Sequence, residues 1–345
     1  MRHRISSYRE FWLAQGLKLE YRSFLTEHLF RNRRKTGFMA TAYKIVGIAF
    51  CLLRLLIRIR LAGSYHLVII HREICPLGGG RLERLLARIS SACIFDFDDA
   101  IWLPMPLRID QRKRFYDSET VPRCLQACQA VVAGNEFLET YASQYNGRVS
   151  IIPTPYRDLG GGAGDHAQSG PAVLVWIGNF GNEEYLRLVE KPLRRLAQLH
   201  SFVLRIIGSP EMSDFEIPDV AVEFIPWSAR HEAGALLSST IGIMPLYDRD
   251  YERGKCSFKL VQYASAGLPL VASPVGMNVD VISPGENGYL PATEEEWVTA
   301  LDRLLGDSAH RLEVGRNAYQ TYLSHFTPEA NAQNWMQVFE NAKAV

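Results

Sequence analysis

At 345 residues the chain exceeds the roughly 250–300 residues over which a single core stays coherent, so two domains are expected. With 47% hydrophobic and 22% charged residues it has the make-up of a packed globular protein, which excludes disordered, collagen-like and coiled-coil classes. The formal net charge of +1 gives no whole-molecule attraction to nucleic acid, yet residues 1–60 hold 13 Lys and Arg against three Glu.

Residues 5–14 read as helix, where a doubly wound domain normally opens with a strand. Either the first strand is missing or Met1 lies downstream of the true start. Residues 17–21 alternate as a strand would. The basic segment 28–60 contains Arg31, Arg33, Arg34 and Lys35 and then a helical stretch, 38–61. Lys44, Arg54 and Arg58 fall within roughly an 80° arc of that helix. Such a stripe suits a helix lying on an anionic membrane surface, and equally a sheet-covering helix whose charges face water. No nucleic-acid reader motif accompanies it. The longest apolar run, 45–53, stops at Arg54, short of the ~20 residues of a membrane span, so no transmembrane helix is expected. Nor does a cleavable signal peptide show at the start. The expected location is cytoplasmic, peripheral on the inner face of the membrane if the basic helix binds there.

Val- and Ile-rich runs follow at 67–71, 93–97, 130–133 and 149–153, then at 172–177, 202–207, 220–225, 240–244 and 269–273. They alternate with longer helical stretches and are apolar on both faces, which predicts parallel strands covered by helices in an α/β doubly wound fold. Between the two series, 159–170 (LGGGAGDHAQSG) reads as a linker. The expected domains are 1–158 and 171–326. Thr327-Pro328-Glu329 opens a last helix, 327–345, that can pack back on the first domain. Thr293-x-x-Glu296 is a capping box. The six cysteines are scattered without zinc spacing, which predicts reduced, mostly buried thiols.

Ligands of open parallel sheets collect beyond the carboxyl ends of the strands, so chemistry is sought there. Phe95-Asp96-Phe97-Asp98-Asp99 crowds three carboxylates into four residues, which raises at least one pKa. Continued strand alternation would point Asp96 and Asp98 to one side and Asp99 to the other. A bland alternative has Asp99 capping the next helix. His71-Arg72-Glu73 follows another strand, where Arg72 can steady an anion or simply pair with Glu73 at the surface. Trp227 follows the strand 220–225, where an ordinary reading packs it in the core. Tyr251 to Gly276 is the richest segment. Gly254 and Lys255 form a flexible basic loop, and Ser257 can cap the following helix. Helix amides with Lys255 and Lys259 make a diphosphate site, with Gln262 placed for a hydroxyl such as ribose. A solvated lysine loop before an ordinary helix is the plain alternative.

The string Gln262-Tyr263-Ala264-Ser265-Ala266-Gly267-Leu268-Pro269, followed by Gly276, Asp280 and Asn287-Gly288, resembles the donor-binding segment of family-4 (group 1) retaining glycosyltransferases. Trp176-Ile177-Gly178-Asn179 resembles the glycine loop that opens their second domain. Asn135 with Pro153-Thr154-Pro155 resembles the end of the first. The resemblance implies a GT-B fold, two Rossmann-like domains facing across a cleft, with 1–158 on the acceptor side and 171–326 binding the nucleotide sugar. It implies transfer of a sugar from a nucleotide diphosphate donor to a glycan or lipid-linked acceptor, with no metal and no cofactor.

Asp98 and Asp99 fall where that family has a catalytic His-Asp pair. Gly178, Asn179, Trp227, Gly254, Lys255, Ser257, Phe258, Lys259 and Gln262 fall on its donor side, and His71 and Arg72 on the acceptor side. The resemblance implies that Trp227 stacks on the nucleotide base. Two departures stand out. The family's two glutamates eight residues apart are Gly254 and Gln262 here, and its Arg-Lys pair after the glycine loop is absent, Lys191 being the nearest candidate. The alternatives are a nucleotide-sugar epimerase of the same fold and a degenerate, non-catalytic scaffold at the membrane.

Overall fold

The structure, a computed structural model, describes residues 4–32, 35–72, 74, 79–104, 119–161 and 170–343. Among these, ten strands form two sheets in which every pairing is parallel. The first sheet runs β1 (Val68–His71), β2 (Cys93–Phe97), β3 (Ala130–Ala133) and β4 (Val149–Ile151), side by side in that order. The second contains β5 (Ala172–Gly178), β6 (Phe202–Gly208), β7 (Ala221–Pro226), β8 (Ile241–Met244), β9 (Leu270–Ala272) and β10 (Gly288–Tyr289). Its spatial order, β7-β6-β5-β8-β9-β10, reverses direction between β5 and β8. That switch point is where an open α/β sheet leaves a crevice for a ligand.

Strands β2, β3, β8 and β9 are buried at every position, as a strand must be when helices cover both faces of its sheet. Two apolar layers flank the second sheet. One includes Tyr185, Leu260, Tyr263 and Tyr322; the other Trp176, Leu193, Trp297 and Leu301. The Thr293–Glu296 capping box forms and starts the helix Glu294–Gly306.

One face of the first sheet is covered by both ends of the chain. Tyr8 and Trp12 lie against Trp335 and Phe339 of the terminal helix Pro328–Lys343, with ring centroids 5.2 to 6.0 Å apart. Ile94 and Val132 close the layer beneath them. Four aromatic side chains thus tie residues 4–14 and 328–343 to the first sheet.

Three expectations change. Residues 17–21 join neither sheet: Leu17, Leu19 and Tyr21 rest on the aromatic layer, so the alternation records a half-buried extended segment without a ladder partner. The start of the expected linker is ordered. Leu159 packs against the second core, and a Cβ on Gly161 would lie 2.2 Å from the Ala266 carbonyl carbon; residues 162–169 are outside the described ones. Finally, the helix Phe38–Arg60 is long and apolar enough, by length and composition, to cross a membrane. Lys44 and Arg54 interrupt the apolar run but not the helix. Only Cys51 and Ile59 of it are buried.

Candidate active site

Strand β2 delivers the acidic cluster. Asp96 is fully buried and accepts from Arg4 Nε at 2.7 Å and from His71 Nδ1 at 2.6 Å. Arg4 also donates to the Ile152 carbonyl and to Thr154 Oγ1, at 2.7 and 3.2 Å. A buried carboxylate needs such partners, since an unpaired charge in the interior is heavily penalised. No local motif marks Arg4, because its partners lie 92 and about 150 residues away.

The strand stops at Phe97, so the expected alternation does not continue. Asp98 and Asp99 both turn toward Arg72, which donates from Nε to Asp98 at 2.7 Å and from Nη2 to Asp99 at 2.5 Å. Arg72 leaves β1 in a left-handed conformation, φ 58°, which is costly for an arginine and is held by its ion pairs and an amide bond to the Asp96 carbonyl. No helix follows Asp99 among residues 100–104, so it caps none. Glu73, the expected surface partner of Arg72, is outside the described residues.

The two carboxylates are driven apart electrostatically. Burial alone would raise the Asp98 pKa, but Arg72, His71 and Arg4 outweigh it and hold the group at about 2. For Asp99 burial is not outweighed: Arg72 opposes it, Asp98 adds to it, and the pKa ends above the usual carboxylate value. One carboxylate is locked in its ionised form, and its neighbour is the more basic of the pair.

The second domain supplies the opposite wall. Gly178 ends β5, and any Cβ there would lie 2.0 Å from the Trp176 ring. The loop 254–257 is pinned directly to the first domain. A Cβ on Gly254 would sit 2.5 Å from Ala100 Cβ, and one on Gly134 would sit 2.2 Å from Cys256 Sγ. Asn135 caps the helix Glu136–Ala142 and donates from Nδ2 to the Lys255 carbonyl at 3.0 Å. The Lys255 ammonium lies over the Tyr251 ring, 4.8 Å from its centroid, and Lys259 over Trp176 at 5.3 Å. Burial and then repulsion from Lys255 lower the Lys259 pKa to about 7, with Asp99 pulling the other way.

Ser257 does not cap its helix as expected. Its backbone is left-handed at φ 45° and its hydroxyl donates instead to Asn278 Oδ1 at 2.7 Å, leaving the start of the helix Phe258–Ser265 without a side-chain cap. Trp227 is not a core residue: it is 44% exposed, and its indole N–H donates to Glu232. Glu232, buried on the helix Ala229–Leu237, also accepts from the Tyr156 hydroxyl, which is bonded to Gln262 as well. Sequence reasoning missed this carboxylate, which sits mid-helix with no local motif.

All of these groups meet in one cavity of about 470 Å3 between the domains. Arg72, Asp98 and Asp99 line it from the first domain, with Arg4 and Thr154. Gly178, Asn179, Trp227, Ser257, Phe258 and Gln262 line it from the second, with Lys255, Lys259 and Glu232. Two expected residues stand behind the wall: Gly254 packs on Ala100, and His71 is turned onto Asp96, its Nε2 4.0 Å from Asp98. Lys191 lies elsewhere, paired with Glu294 at 3.1 Å. Asn287, part of the late Asn-Gly, has a structural task, bonding the Val281 carbonyl, Thr321 and the Ser283 amide. Among the described residues no group of three His, Cys, Asp or Glu side chains is arranged to hold a metal.

Residues 171–307 match the family model "Glycosyl transferases group 1". No curated protein matches the chain. Among solved structures, sucrose-phosphate synthase from Thermosynechococcus elongatus superposes with a TM-score of 0.59 at 16% identity, over 81% of this chain and 74% of that one. Anabaena HepE in complex with UDP gives 0.60 at 14% identity, over 83% and 81%. An S. aureus TarM variant in complex with Fondaparinux, alpha-GlcNAc-glycerol and UDP gives 0.53 at 12%, over 72% and 50%. The chain thus has the GT-B fold, and its residues 171–307 match a group 1 glycosyltransferase domain.

Proposed function

We propose that the enzyme transfers a sugar, with retention of anomeric configuration, from a nucleoside diphosphate sugar to a hydroxyl of a glycan or lipid-linked saccharide. The observation that carries this reading is the cavity that places Lys255 and Lys259 opposite Asp98 and Asp99. The bond between the anomeric carbon and the β-phosphate oxygen breaks, its electron pair leaving with the diphosphate. The acceptor oxygen bonds to the same face of the sugar, and its proton passes to the departing phosphate. Charge therefore grows on the diphosphate and fades on the sugar ring. Lys255, Lys259 and the uncapped helix start stabilise the first. Ionised Asp98 faces the second; with a pKa of about 2 it is too weak a base to take a proton and acts through its charge. Asp99, more basic, orients the acceptor hydroxyl.

Trp227 stacks on the base, and Gln262 with Glu232 bonds the ribose, so that Glu232 supplies the carboxylate that position 262 lacks. Arg72 holds both aspartates in place, and His71 does so through Asp96. In this reading the only bound small molecules are the two substrates. UDP is the first base to test, since HepE and TarM structures contain it. The helix Phe38–Arg60, with its exposed apolar residues and its arginines, lies on an anionic membrane surface at the cytoplasmic face. Calorimetry with UDP-, GDP- and ADP-sugars, followed by NMR of the product's anomeric proton, tests the proposal. Loss of donor affinity in both Lys255→Ala and Lys259→Ala supports it. Unchanged affinity in both, or an inverted anomer, would sink it.

A further inference from the structure

We infer that a second cavity, outside the cleft, holds one acyl chain of an anionic phospholipid, whose phosphate is bound by Arg22, Arg54 and Arg58. This deepens the membrane reading above and rests on it. Strand β1 is an edge of the first sheet, and natural sheets cover such edges. Among the described residues the covering is incomplete. A cavity of about 600 Å3 runs along the strand, with Leu67 to His71 as one wall and Cys51, Leu55 and Ile59 of the long helix as the other. Its size is in the roughly 300–1,000 Å3 range of ligand sites, and its lining is mainly apolar.

Charge at and beside the cavity specifies the rest of the occupant: Arg22 and Arg58 line it, and Arg54 adjoins them at the Ser23 carbonyl. Arg54 and Arg58 both reach the Ser23 carbonyl, at 3.4 and 3.3 Å, beside Arg22. Glu20 is the carboxylate there among the residues lining the cavity, and Arg22 and the Tyr65 hydroxyl already engage it. Arg54 Nε is buried without a hydrogen-bond partner. Burial, then Arg54 and Arg22, hold the Arg58 pKa below the usual arginine value, with Cys51 and Glu20 opposing them. The outer face of the helix exposes Phe38, Ile45, Val46, Phe50, Leu53 and Ile57.

A soluble anion would satisfy the arginines and leave both apolar surfaces wet. A second copy of the chain would cover the helix but bring three more arginines. A phospholipid in the leaflet supplies a chain for the cavity, a phosphate for the arginines and tails for the outer face together. The inner end of the cavity is His71, next to the Arg72 of the cleft, so a chain seated here brings the cleft close to the leaflet.

The test uses the full chain with vesicles of phosphatidylcholine alone or mixed with phosphatidylglycerol, and native mass spectrometry of detergent-extracted protein. Each of Arg22→Gln, Arg54→Gln and Arg58→Gln should weaken binding to the anionic vesicles about fivefold, the scale of one basic residue at such a surface, with little change on neutral ones. Leu55→Trp should fill the cavity and remove the co-purifying lipid while sedimentation with vesicles persists; Ile69→Phe is the second filler, and the arginine series decides alone should both misfold. Donor binding, measured on every variant, should not move, which separates this inference from the donor site. Vesicle binding by the outer helix face with no retained lipid would leave the membrane reading standing and overturn the cavity site. Equal binding to both vesicle types, full competition by inorganic phosphate, or a stable dimer that buries the helix would overturn it too.

Discussion

Lys259 makes donor binding a proton-uptake reaction. Its ammonium titrates at about 7, against an ordinary lysine value near 10.4, because burial and Lys255 both oppose its charge. A bound diphosphate supplies the missing opposite charge and lifts that pKa. In the free enzyme about nine-tenths of Lys259 is protonated at pH 6 and about one-tenth at pH 8, as follows from a midpoint of 7. If the neutral amine contributes little, affinity falls about tenfold across those two pH units, or about 1.4 kcal/mol. UDP-glucose is the suitable probe, since its phosphates stay fully ionised throughout. Calorimetry in buffers of different ionisation enthalpy should show roughly 0.9 proton taken up at pH 8 and roughly 0.1 at pH 6.

The stability slope has the opposite sign. A lysine whose folded pKa is depressed binds fewer protons folded than unfolded between about pH 7 and pH 10.4, so its contribution to stability rises with pH over that window. Lys259→Met should therefore raise the melting temperature at pH 7 while flattening the affinity profile. Zero proton uptake at pH 8, or a Met variant that keeps the full pH slope, would refute the placement of this lysine under the diphosphate.

Four further outcomes follow from the geometry. Gly254→Glu, which restores the residue usual in group 1 enzymes, should cost stability or open the cleft: at φ −75° the backbone accepts any residue, but the Cβ meets Ala100 at 2.5 Å, and a thermal melt with a transfer assay reads the loss. Glu232→Gln should weaken nucleotide binding about tenfold, the scale of a charge-assisted hydrogen bond, with nucleoside monophosphate and diphosphate affected alike because the loss is at the ribose. Arg72→Met removes the main counter-charge of Asp98, so the acid limb of the transfer profile should move to higher pH and kcat should fall with donor affinity kept. Trp335→Ala should cost about 3–5 kcal/mol, read by denaturant unfolding, because the ring is fully buried between Tyr8, Trp12 and Phe339.

Most of the sheet framework was legible because central parallel strands are buried on both faces and write themselves as apolar, Val- and Ile-rich runs, as Ala130–Ala133 and Ala172–Gly178 do. Where a strand is only two residues long, as in Gly288–Tyr289, there is no run to read. Alternation misled at 17–21, since a period of two reports one buried face and not a hydrogen-bonded neighbour. In the site, Lys255, Lys259, Asp98 and Asp99 could be found because local motifs carry them. Arg4 and Glu232 could not, since their place depends on contacts across 92 and 76 residues of chain. The role of Ser257 was misread for a related reason: residue type favours capping, but Asn278 is the better-placed partner, and its position is set by the loop after β9.

The departure at Gly254 and the depressed pKa of Lys259 are two sides of one arrangement. A glutamate on the donor loop would stand beside two lysines and neutralise part of their charge before any substrate arrived. With glycine there, the loop packs flush against Ala100, and position 254 itself adds no carboxylate beside Lys255 and Lys259. The nearest compensating charge is Asp99, on the opposite domain, and it does not suffice to hold Lys259 at an ordinary lysine value. The free site therefore carries an electrostatic penalty that only an incoming anion removes, and the same anion returns the proton that the empty site gives up. That penalty favours a ligand with two phosphates over one with a single charge. The stabilisation that relieves it grows as the diphosphate separates and gains charge, which is the point in the reaction where stabilisation raises kcat rather than ground-state affinity. Placing a carboxylate at position 254 should then raise the Lys259 pKa, erase the proton uptake and cost rate even where the fold tolerates the side chain.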